Sequence, residues 1–184
     1  NRHLDNPSGE YDSFHIRRGD LILQYKNTNI SSDEIYQNSF HELRENGTVF
    51  IATDHADNEF FSPFLSKHDV VFLDDFRDEL IGIDKMYYGM IDQLVASRGR
   101  VFFGSWQSTF SSFVFRIRAW HSQRNKLKGF ENGTLDNSFY YIMPNKTYIY
   151  RQYAAMTFPV YFREWPVAWK NMDKGIGENI NGDE

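Results

Sequence analysis

The sequence predicts an α/β fold in which helices cover both faces of a parallel β-sheet. Short apolar runs alternate with helix-forming segments about every 30 residues, which is typical of strand–helix–strand units. Such units join parallel strands, so we expect a Rossmann-like half from about residue 8 to residue 125. The predicted strands are Tyr11–Ile16, Thr48–Thr53, Val70–Leu73 and Val101–Phe103.

The strands differ in how they are expected to be buried and how they end. Thr48–Thr53 is a continuous apolar run, as expected for a strand that is covered on both faces. Tyr11–Ile16 mixes apolar and polar residues and stops at Arg17–Asp20, so we expect this strand to run into a loop. Gly104 ends the last strand. Because ligands of such sheets bind beyond the carboxyl ends of the strands, these junctions are where a site is expected.

Three helices between the strands carry start signals. Ser31 and Glu34 have the spacing of a capping box, and the helix that they open is predicted to end at Asn46-Gly47. Asp57 is predicted to cap a weak helix that Pro63 interrupts. Asp84 is predicted to cap a longer helix. Two apolar stripes lie side by side on this longer helix, one of Met86, Met90 and Leu94, the other of Tyr87, Ile91 and Val95.

The regular pattern ends with a helix from Ser108 to about Arg124, whose predicted inner face holds Phe110, Val114 and Ile117. We therefore divide the chain into a Rossmann-like domain at residues 1–128 and a C-terminal appendage with a polar tail at residues 129–184. Two short strands are predicted in the appendage: Phe139–Met143 and Tyr148–Tyr150.

The composition excludes several functional classes. The 184 residues carry a net charge of −5, which argues against nucleic-acid binding. The chain has no cysteine, and this excludes a disulfide framework, thiolate zinc sites and cysteine nucleophiles. Its six histidines lack zinc-motif spacing, so no metal site is expected. No apolar run approaches the roughly 20 residues of a membrane span, so no membrane contact is expected either.

Two adjacent arginines follow the first strand. An arginine at the carboxyl end of a parallel strand can neutralise a phosphate with its planar fork of donors. A solvated pair of loop arginines fits this segment equally well. Alternate residues at a strand end face opposite sides, which favours Arg17 over Arg18 as the ligand contact. Arg18-Gly19-Asp20 is also an adhesion-type tripeptide, so an adhesion module is an alternative function.

A strand that ends in Gly104 is followed by a hydroxyl-rich helix start, Ser108-Thr109-Phe110-Ser111-Ser112. Unpaired backbone N–H groups, the positive helix end and the hydroxyl groups together suit an anion. Plain capping by Ser or Thr is the alternative. The segment lacks both the GxGxxG and the P-loop lysine patterns, so dinucleotide and ATPase fingerprints are excluded.

Asp92 is a third candidate, because a helix carboxylate that faces the same crevice could accept two N–H bonds from a guanine edge. A solvated helix acid is the alternative. Asp74-Asp75 resembles a metal-holding acidic pair, but the two residues are adjacent and arginines are available for phosphate. A loop or cap role is therefore preferred for this pair.

Taken together, these motifs resemble the C-terminal nucleotide-binding half of the GDP-fucose protein O-fucosyltransferases. Four pieces occur in the family's order over residues 11–118: FHIRRGD, VFIATD, MIDQLVAS and VFFGSWQSTFSSFVFRIR. The resemblance is greater to the thrombospondin-repeat-modifying and plant-type branch than to the branch that modifies EGF repeats.

The resemblance implies a two-domain GT-B fold and an inverting, metal-independent transfer of fucose from GDP-fucose to a Ser or Thr hydroxyl of a protein. Arg17 is similar to the family arginine that contacts the β-phosphate and the glycosidic oxygen. His15 and Asp92 match positions that hold the guanine. Three further residues match the segment that binds the phosphates: Ser108, Thr109 and Phe110.

The resemblance also implies partners and a compartment. GDP-fucose and a protein acceptor are the expected partners, no cofactor is expected, and the expected location is the lumen of the endoplasmic reticulum or Golgi. Four glycosylation sequons are mildly suggestive of the same compartment. Acceptor contacts and the catalytic base are expected from an N-terminal half, so the chain alone is expected to bind nucleotide weakly and not to transfer fucose. A non-catalytic GDP-sugar-binding module is the remaining alternative.

Overall fold

Five parallel strands form the central sheet of the protein, whose computed structural model describes residues 10–106, 108–125 and 137–141. The strands are β1 (Asp12–Ile16), β2 (Thr48–Thr53), β3 (Asp69–Val71), β4 (Phe102–Gly104) and β5 (Ser138–Tyr140). Their spatial order is β3-β2-β1-β4-β5, and every pair of neighbours is parallel. The chain therefore builds outward from β1 to one edge and then restarts on the other side, so the strand order reverses between β1 and β4. The predicted Rossmann-like α/β fold is confirmed.

Helical segments connect the strands. The α-helices are α1 (Leu21–Gln24), α2 (Ser32–Gln37), α3 (Ser62–Leu65), α4 (Tyr88–Arg98) and α5 (Thr109–Asn125). The 3-10 turns are Lys26–Thr28, Phe40–Glu42, Asn58–Phe61, Leu73–Phe76 and Lys85–Tyr87. None of the helices within the described residues is both long and apolar enough to cross a membrane.

The three predicted helix starts are confirmed by hydrogen bonds from backbone N–H groups to the predicted capping side chains. Ser31 Oγ accepts from Glu34 N at 3.1 Å. The carboxylates of Asp57 and Asp84 accept in the same way, at 2.9 Å and 3.0 Å. Each bond satisfies one of the N–H groups that a helix start leaves unpaired, which is why these short polar residues stand there.

The two faces of the sheet carry separate apolar layers. Successive residues of a strand point to opposite faces, so neighbours such as Phe102 and Phe103 belong to different layers. One layer includes Phe14, Ile51, Phe64 and Phe103, with Ile35 of α2. The other layer includes residues of α4 and α5, namely Ala96, Val114 and Phe115. Both faces are thus covered by helices, as the continuous apolar strand β2 predicts.

The helix that Ser31 caps, α2, is shorter than the sequence predicts from its capping box and from Asn46-Gly47. It ends at Gln37, and only a 3-10 turn follows at Phe40–Glu42. The hydroxyl of Ser39 donates to Ile35 O at 2.6 Å, so a side chain occupies a carbonyl that helix continuation would need. Competition of this kind is the reason that serine disfavours helix interiors.

The stripe of Met86, Met90 and Leu94 faces outward instead of into the core. These side chains are 75%, 55% and 50% exposed. The buried residues of α4 lie near its end, at Ala96 and Ser97. Helical periodicity fixes which residues share a stripe but not which stripe packs on the sheet, so this orientation comes from tertiary packing.

The strand that was predicted at Phe139–Met143 belongs to the main sheet and not to an appendage. Its counterpart β5 pairs in parallel with β4, and Phe139 lies opposite Phe103. Placing the strand in an appendage was therefore wrong, because strand pairing across a long connection leaves no local signal in the sequence. The division at residue 128 itself stays a prediction, and the strand predicted at Tyr148–Tyr150 and the polar tail lie outside the described residues.

A buried arginine in the middle of α5 ties this helix to the end of α4 and to the start of β5. Arg118 is 6% exposed, and burial lowers the pKa of its guanidinium to about 10, so it stays charged at neutral pH. Its Nη1 donates to Ser97 O and Gly99 O, at 3.2 Å and 2.6 Å. Its Nε donates to Ser138 Oγ at 2.8 Å, and Nη2 reaches Asn137 O at 3.2 Å. One planar fork therefore satisfies carbonyls at the end of α4 and at the start of β5.

Replacing this arginine should destabilise the fold strongly. Arg118→Met keeps the apolar stem but leaves several buried carbonyls unpaired, so we expect a loss of at least about 3 kcal/mol in the free energy of unfolding. Arg124→Met on the exposed face of the same helix is the matched control and should change it by less than about 0.5 kcal/mol. Urea denaturation measures both, and equal midpoints for the two variants would refute this role.

Candidate functional site

A cleft lies at the carboxyl ends of the strands, beside the point where the strand order reverses. Its volume is about 240 Å³. Four of the six sequence-predicted site residues line it: His15, Arg17, Asp92 and Phe110. Thr53, the last residue of the neighbouring strand β2, and Asp54, which follows it, complete the lining. The topology therefore brings together residues from four separate parts of the sequence, at the position where ligands of open α/β sheets bind.

His15 is held neutral and in a fixed plane. It is the fourth residue of β1 and is 5% exposed. Burial, reinforced by the charge of Arg17, lowers the pKa of its imidazole to about 3. The ring stacks on Phe110, with centroids 4.0 Å apart and planes at 19°. At neutral pH His15 is thus an uncharged hydrogen-bonding group at the wall of the cleft.

Arg17 follows β1 directly, and two carboxylates orient it. Its Nε and Nη2 donate to Asp20 Oδ1, at 3.2 Å and 2.6 Å, and Asp54 Oδ2 lies 3.9 Å from Nε. The Arg17 guanidinium in turn lowers the pKa of the Asp20 carboxyl. The remaining nitrogen, Nη1, has no partner among the described residues. Arg17 therefore stands at the cleft as a pre-oriented cation with donor capacity left.

The loop that carries Arg17 depends on a close approach to Asp54. The carboxylate of Asp54 accepts from Arg18 N at 2.8 Å. A Cβ atom at Gly19 would lie 2.6 Å from Asp54 Oδ2, so only glycine leaves room for this contact. Both Asp20 and Asp54 are thus engaged in holding the loop.

Arg18 points away from Arg17, as the alternation of strand residues predicts. Its Nη1 donates to Ile30 O at 2.8 Å, and its guanidinium lies over the Phe60 ring at 4.3 Å. With Asp20 paired to Arg17, both charged members of the Arg18-Gly19-Asp20 tripeptide are occupied within the protein. The structure therefore offers no support for an adhesion loop.

Asp92 faces the cleft from α4 with an unpaired carboxylate oxygen. Its Oδ1 is buried and has no hydrogen-bond partner among the described residues. Burial, with the nearby charge of Asp74, raises the pKa of this carboxyl to about 7. Asp92 and Thr53 also line a second cleft of about 300 Å³ that extends toward β3, along His55, Asn58, Asp74 and Tyr88. Unpaired buried polar atoms are rare in proteins, and one that borders two clefts is suited to a ligand.

A second unpaired polar atom lies at the start of α5, two residues before Phe110. Ser108 precedes the helix, its Oγ is buried, and this atom has no partner among the described residues. Thr109 is exposed at the first helical position. Neither residue lines the cleft, whereas the adjacent Phe110 does. The structure thus assembles four of the six predicted site residues in one cleft, and the other two directly precede Phe110 in the chain.

Sequence reasoning missed the residues that support this site from behind. Ser105 Oγ accepts from Arg17 N at 2.8 Å, donates to His15 O at 2.9 Å and lies 2.8 Å from Tyr141 Oη. Ser111 Oγ lies 2.7 Å from His15 Nδ1. The hydroxyl-rich stretch after Gly104 is the available signal, but its pattern predicts contacts to an anion and not support for β1.

The acidic pair after β3 has the cap role that the sequence favoured. Asp75 Oδ2 accepts from Phe72 N at 2.8 Å, and Asp74 pairs with Arg77 at 2.8 Å. In the described part of the chain, no group of three or more His, Asp or Glu residues is arranged to hold a metal ion.

The parallel sheet, its reversal point and the cleft beyond the strand ends define a Rossmann-like α/β protein with a ligand cleft. The model of the GDP-fucose protein O-fucosyltransferase family matches residues 1–121 of the 184, and the chain belongs to this family. Membership classes the protein in general terms as a fucosyltransferase, with GDP-fucose and a protein acceptor as the family's reactants. No curated protein matches the chain closely enough to count as a relative.

Asp92 should make the ligand-free protein less stable as the pH rises. Because its pKa is raised to about 7, the folded state holds this proton more tightly than the unfolded state, and stability is lost between about pH 4 and about pH 7. Asp92→Asn cannot ionise, so it should melt a few degrees above wild type at about pH 8 and at the same temperature at about pH 4. Asp78→Asn, at an exposed position, should show no such divergence. Parallel melting curves for Asp92→Asn and wild type across this range would contradict the assignment.

Proposed function

We propose that the cleft binds the GDP moiety of GDP-fucose and that this chain is the donor-binding half of an inverting, metal-independent protein O-fucosyltransferase. The observation that carries the proposal is the convergence of three unlike groups on one cleft: a cationic fork, a neutral imidazole and an unpaired carboxylate. These are Arg17, His15 and Asp92. The family to which the chain belongs supports the same donor.

Each group suits one part of a guanosine diphosphate. Asp92 has the acceptor chemistry for the N1–H and N2–H donors of guanine, and such a contact would relieve its unpaired oxygen. Arg17 has the charge and the planar fork for a phosphate, which would share this fork with Asp20. Ser108 and Thr109, at the positive end of α5, suit a second phosphate oxygen. His15 and Phe110 provide a stacked, neutral wall next to these groups.

This arrangement suits the chemistry of a departing nucleotide. As the bond to the sugar breaks, negative charge gathers on the leaving GDP while the fucosyl carbon becomes cation-like. Arg17 and the start of α5 are fixed before the reaction and so can stabilise that charge without reorganising. A metal ion is not required in this scheme, because the guanidinium supplies the positive charge.

The acceptor side of the reaction is assigned to a second, N-terminal domain of a GT-B architecture. A Ser or Thr hydroxyl is a weak nucleophile at neutral pH and needs a positioned base or a strongly developed sugar cation. The candidate carboxylates near the cleft, Asp20 and Asp54, hold the Arg17 loop. We therefore propose that these 184 residues bind donor but do not transfer fucose to protein by themselves. The four sequons favour a lumenal location in the endoplasmic reticulum or Golgi.

The chain should bind GDP in preference to ADP, and Asp92 should contribute to that preference. Asp92→Asn keeps one acceptor oxygen but places an NH₂ donor opposite a guanine N–H, which leaves both groups unpaired, so we expect a loss of about 2–3 kcal/mol in GDP binding free energy. Calorimetric titration measures it, with Asp78→Asn as the control. Equal GDP affinity in Asp92→Asn and wild type would remove Asp92 from the site.

Arg17 should recognise the terminal phosphate specifically. GDP and GMP share guanine and differ by the β-phosphate, so wild type should bind GDP about tenfold or more tightly than GMP. Arg17→Lys keeps the charge but loses the fork, and it should narrow this ratio while leaving GMP affinity within about twofold. Asp92→Asn should instead weaken both ligands. An unchanged GDP-to-GMP ratio in Arg17→Lys would place the β-phosphate elsewhere.

A further inference from the structure

A chain of hydrogen bonds links the first turn of α5 to the imidazole of His15. Ser105 N–H donates to Ser111 Oγ at 2.8 Å, and the same oxygen lies 2.7 Å from His15 Nδ1. Ser105 and Ser111 are both 0% exposed, so water does not compete for these atoms. The direction of the second bond therefore decides which imidazole nitrogen carries the proton.

Two arrangements are possible, and they differ by one unsatisfied group. If Ser111 donates its hydroxyl proton to Nδ1, every polar hydrogen in the chain of bonds has an acceptor, and His15 carries its proton on Nε2. If Nδ1–H donates to Ser111 instead, the buried hydroxyl hydrogen of Ser111 has no acceptor among the described residues. A buried donor without an acceptor is destabilising, so the first arrangement is favoured.

We propose that Ser111 is a positioning residue that fixes the Nε2–H tautomer of His15, so that the cleft presents a hydrogen-bond donor to the nucleotide base. The proposal rests on the proposed function, because it assumes that His15 faces guanine. Ser111 itself does not line the cleft. It acts through the imidazole, whose other nitrogen is left for the ligand.

The packing around Ser111 holds this geometry. A Cβ atom at Gly104 would lie 2.9 Å from Ser111 Cβ and 3.0 Å from its Oγ, so the glycine is what lets the helix approach β4 this closely. On the other side of His15, the parallel Phe110 ring fixes the plane of the imidazole. The position of the Ser111 hydroxyl and the plane of the His15 imidazole are therefore both fixed by packing at the end of β4 and the start of α5.

A fixed donor at Nε2 gives the cleft a basis for choosing its base. Guanine carries the acceptor O6 next to N1–H, so a base whose N1–H and N2–H face Asp92 turns an acceptor toward a neighbouring donor. Adenine carries an N6–H₂ donor at the corresponding position, and two donors facing each other are unfavourable. The tautomer of His15 thus adds to discrimination against adenine, independently of the Asp92 carboxylate.

Nitrogen-15 NMR of the imidazole tests the tautomer in the ligand-free protein. In wild type, the His15 signals, identified by their loss in His15→Gln, should show a protonated Nε2 and an unprotonated Nδ1. In Ser111→Ala the two tautomers should mix. Ser112→Ala is the matched control, because this neighbouring buried serine donates to Thr109 O at 2.6 Å and not to His15. It should keep the wild-type pattern.

Titration with GDP and ADP tests the consequence for the ligand. The ratio of GDP to ADP affinity should fall about fivefold or more in Ser111→Ala and stay within about twofold in Ser112→Ala. In Ser111→Ala, Nε2 is a donor in one tautomer and an acceptor in the other, so it no longer favours guanine O6 over the adenine N6–H₂ group. A proton on Nδ1 in wild type would overturn the proposal even if the variants do not fold. An equal loss of the ratio in both serine variants would overturn it as well. An Nε2–H imidazole in a protein that binds no GDP would refute the proposed function while supporting the role of Ser111 in fixing the tautomer.

Discussion

The hydroxyl of Ser105 is the junction on which the geometry of the site depends. It accepts from the amide of Arg17, donates to the carbonyl of His15 and contacts the hydroxyl of Tyr141. A serine oxygen has one proton and two lone pairs, and these three contacts use all of them when Tyr141 is the donor. Burial raises the pKa of Tyr141 to about 12, although the hydrogen bond to Ser105 lowers it in part, so the phenol keeps its proton. One buried oxygen thereby joins the ends of β1, β4 and β5.

This junction explains why a cleft forms at the sheet edge and not a closed core. The strand β1 ends at Ile16, directly before the candidate site residue Arg17, and its hydrogen bonds to the neighbouring strands end there. Ser105 takes over the pairing of Arg17 N and His15 O, so both of these backbone groups stay hydrogen-bonded where the backbone leaves the sheet. The side chains on either side of that point then face the cleft from a rigid support.

Features that depend on local sequence were predictable, and those that depend on long-range pairing were not. Ser31, Asp57 and Asp84 cap helix starts as expected, because a cap needs only residues two or three positions away. The strands were predicted from short apolar runs for the same reason. The pairing of β5 with β4 and the burial of Arg118 depend on partners far along the chain or on groups with no sequence signature.

The residues of the candidate site also fall into a locally predictable group and a group that depends on distant partners. His15, Arg17 and Asp92 were found because strand ends and polar residue types mark them, and the structure brings them to one cleft. The hydroxyl-rich stretch indicates a site, but it does not identify Ser105 and Ser111 as supporting residues. Their partners on β1 are about 90 positions away in the chain, which periodicity and capping rules cannot reach.

The helix α5 has a consequence for how variants of this protein should be interpreted. Phe110, in its first turn, lines the cleft. Arg118 lies about 14 Å from the start of the same helix and anchors it to carbonyls at the opposite end of the strands. A helix moves as a unit, so a disturbance at the anchor shifts Ser111 and Phe110 although neither is touched. Substitutions at Arg118 would thus resemble substitutions in the candidate site in a functional screen. Only a measurement of folding stability tells the two classes apart.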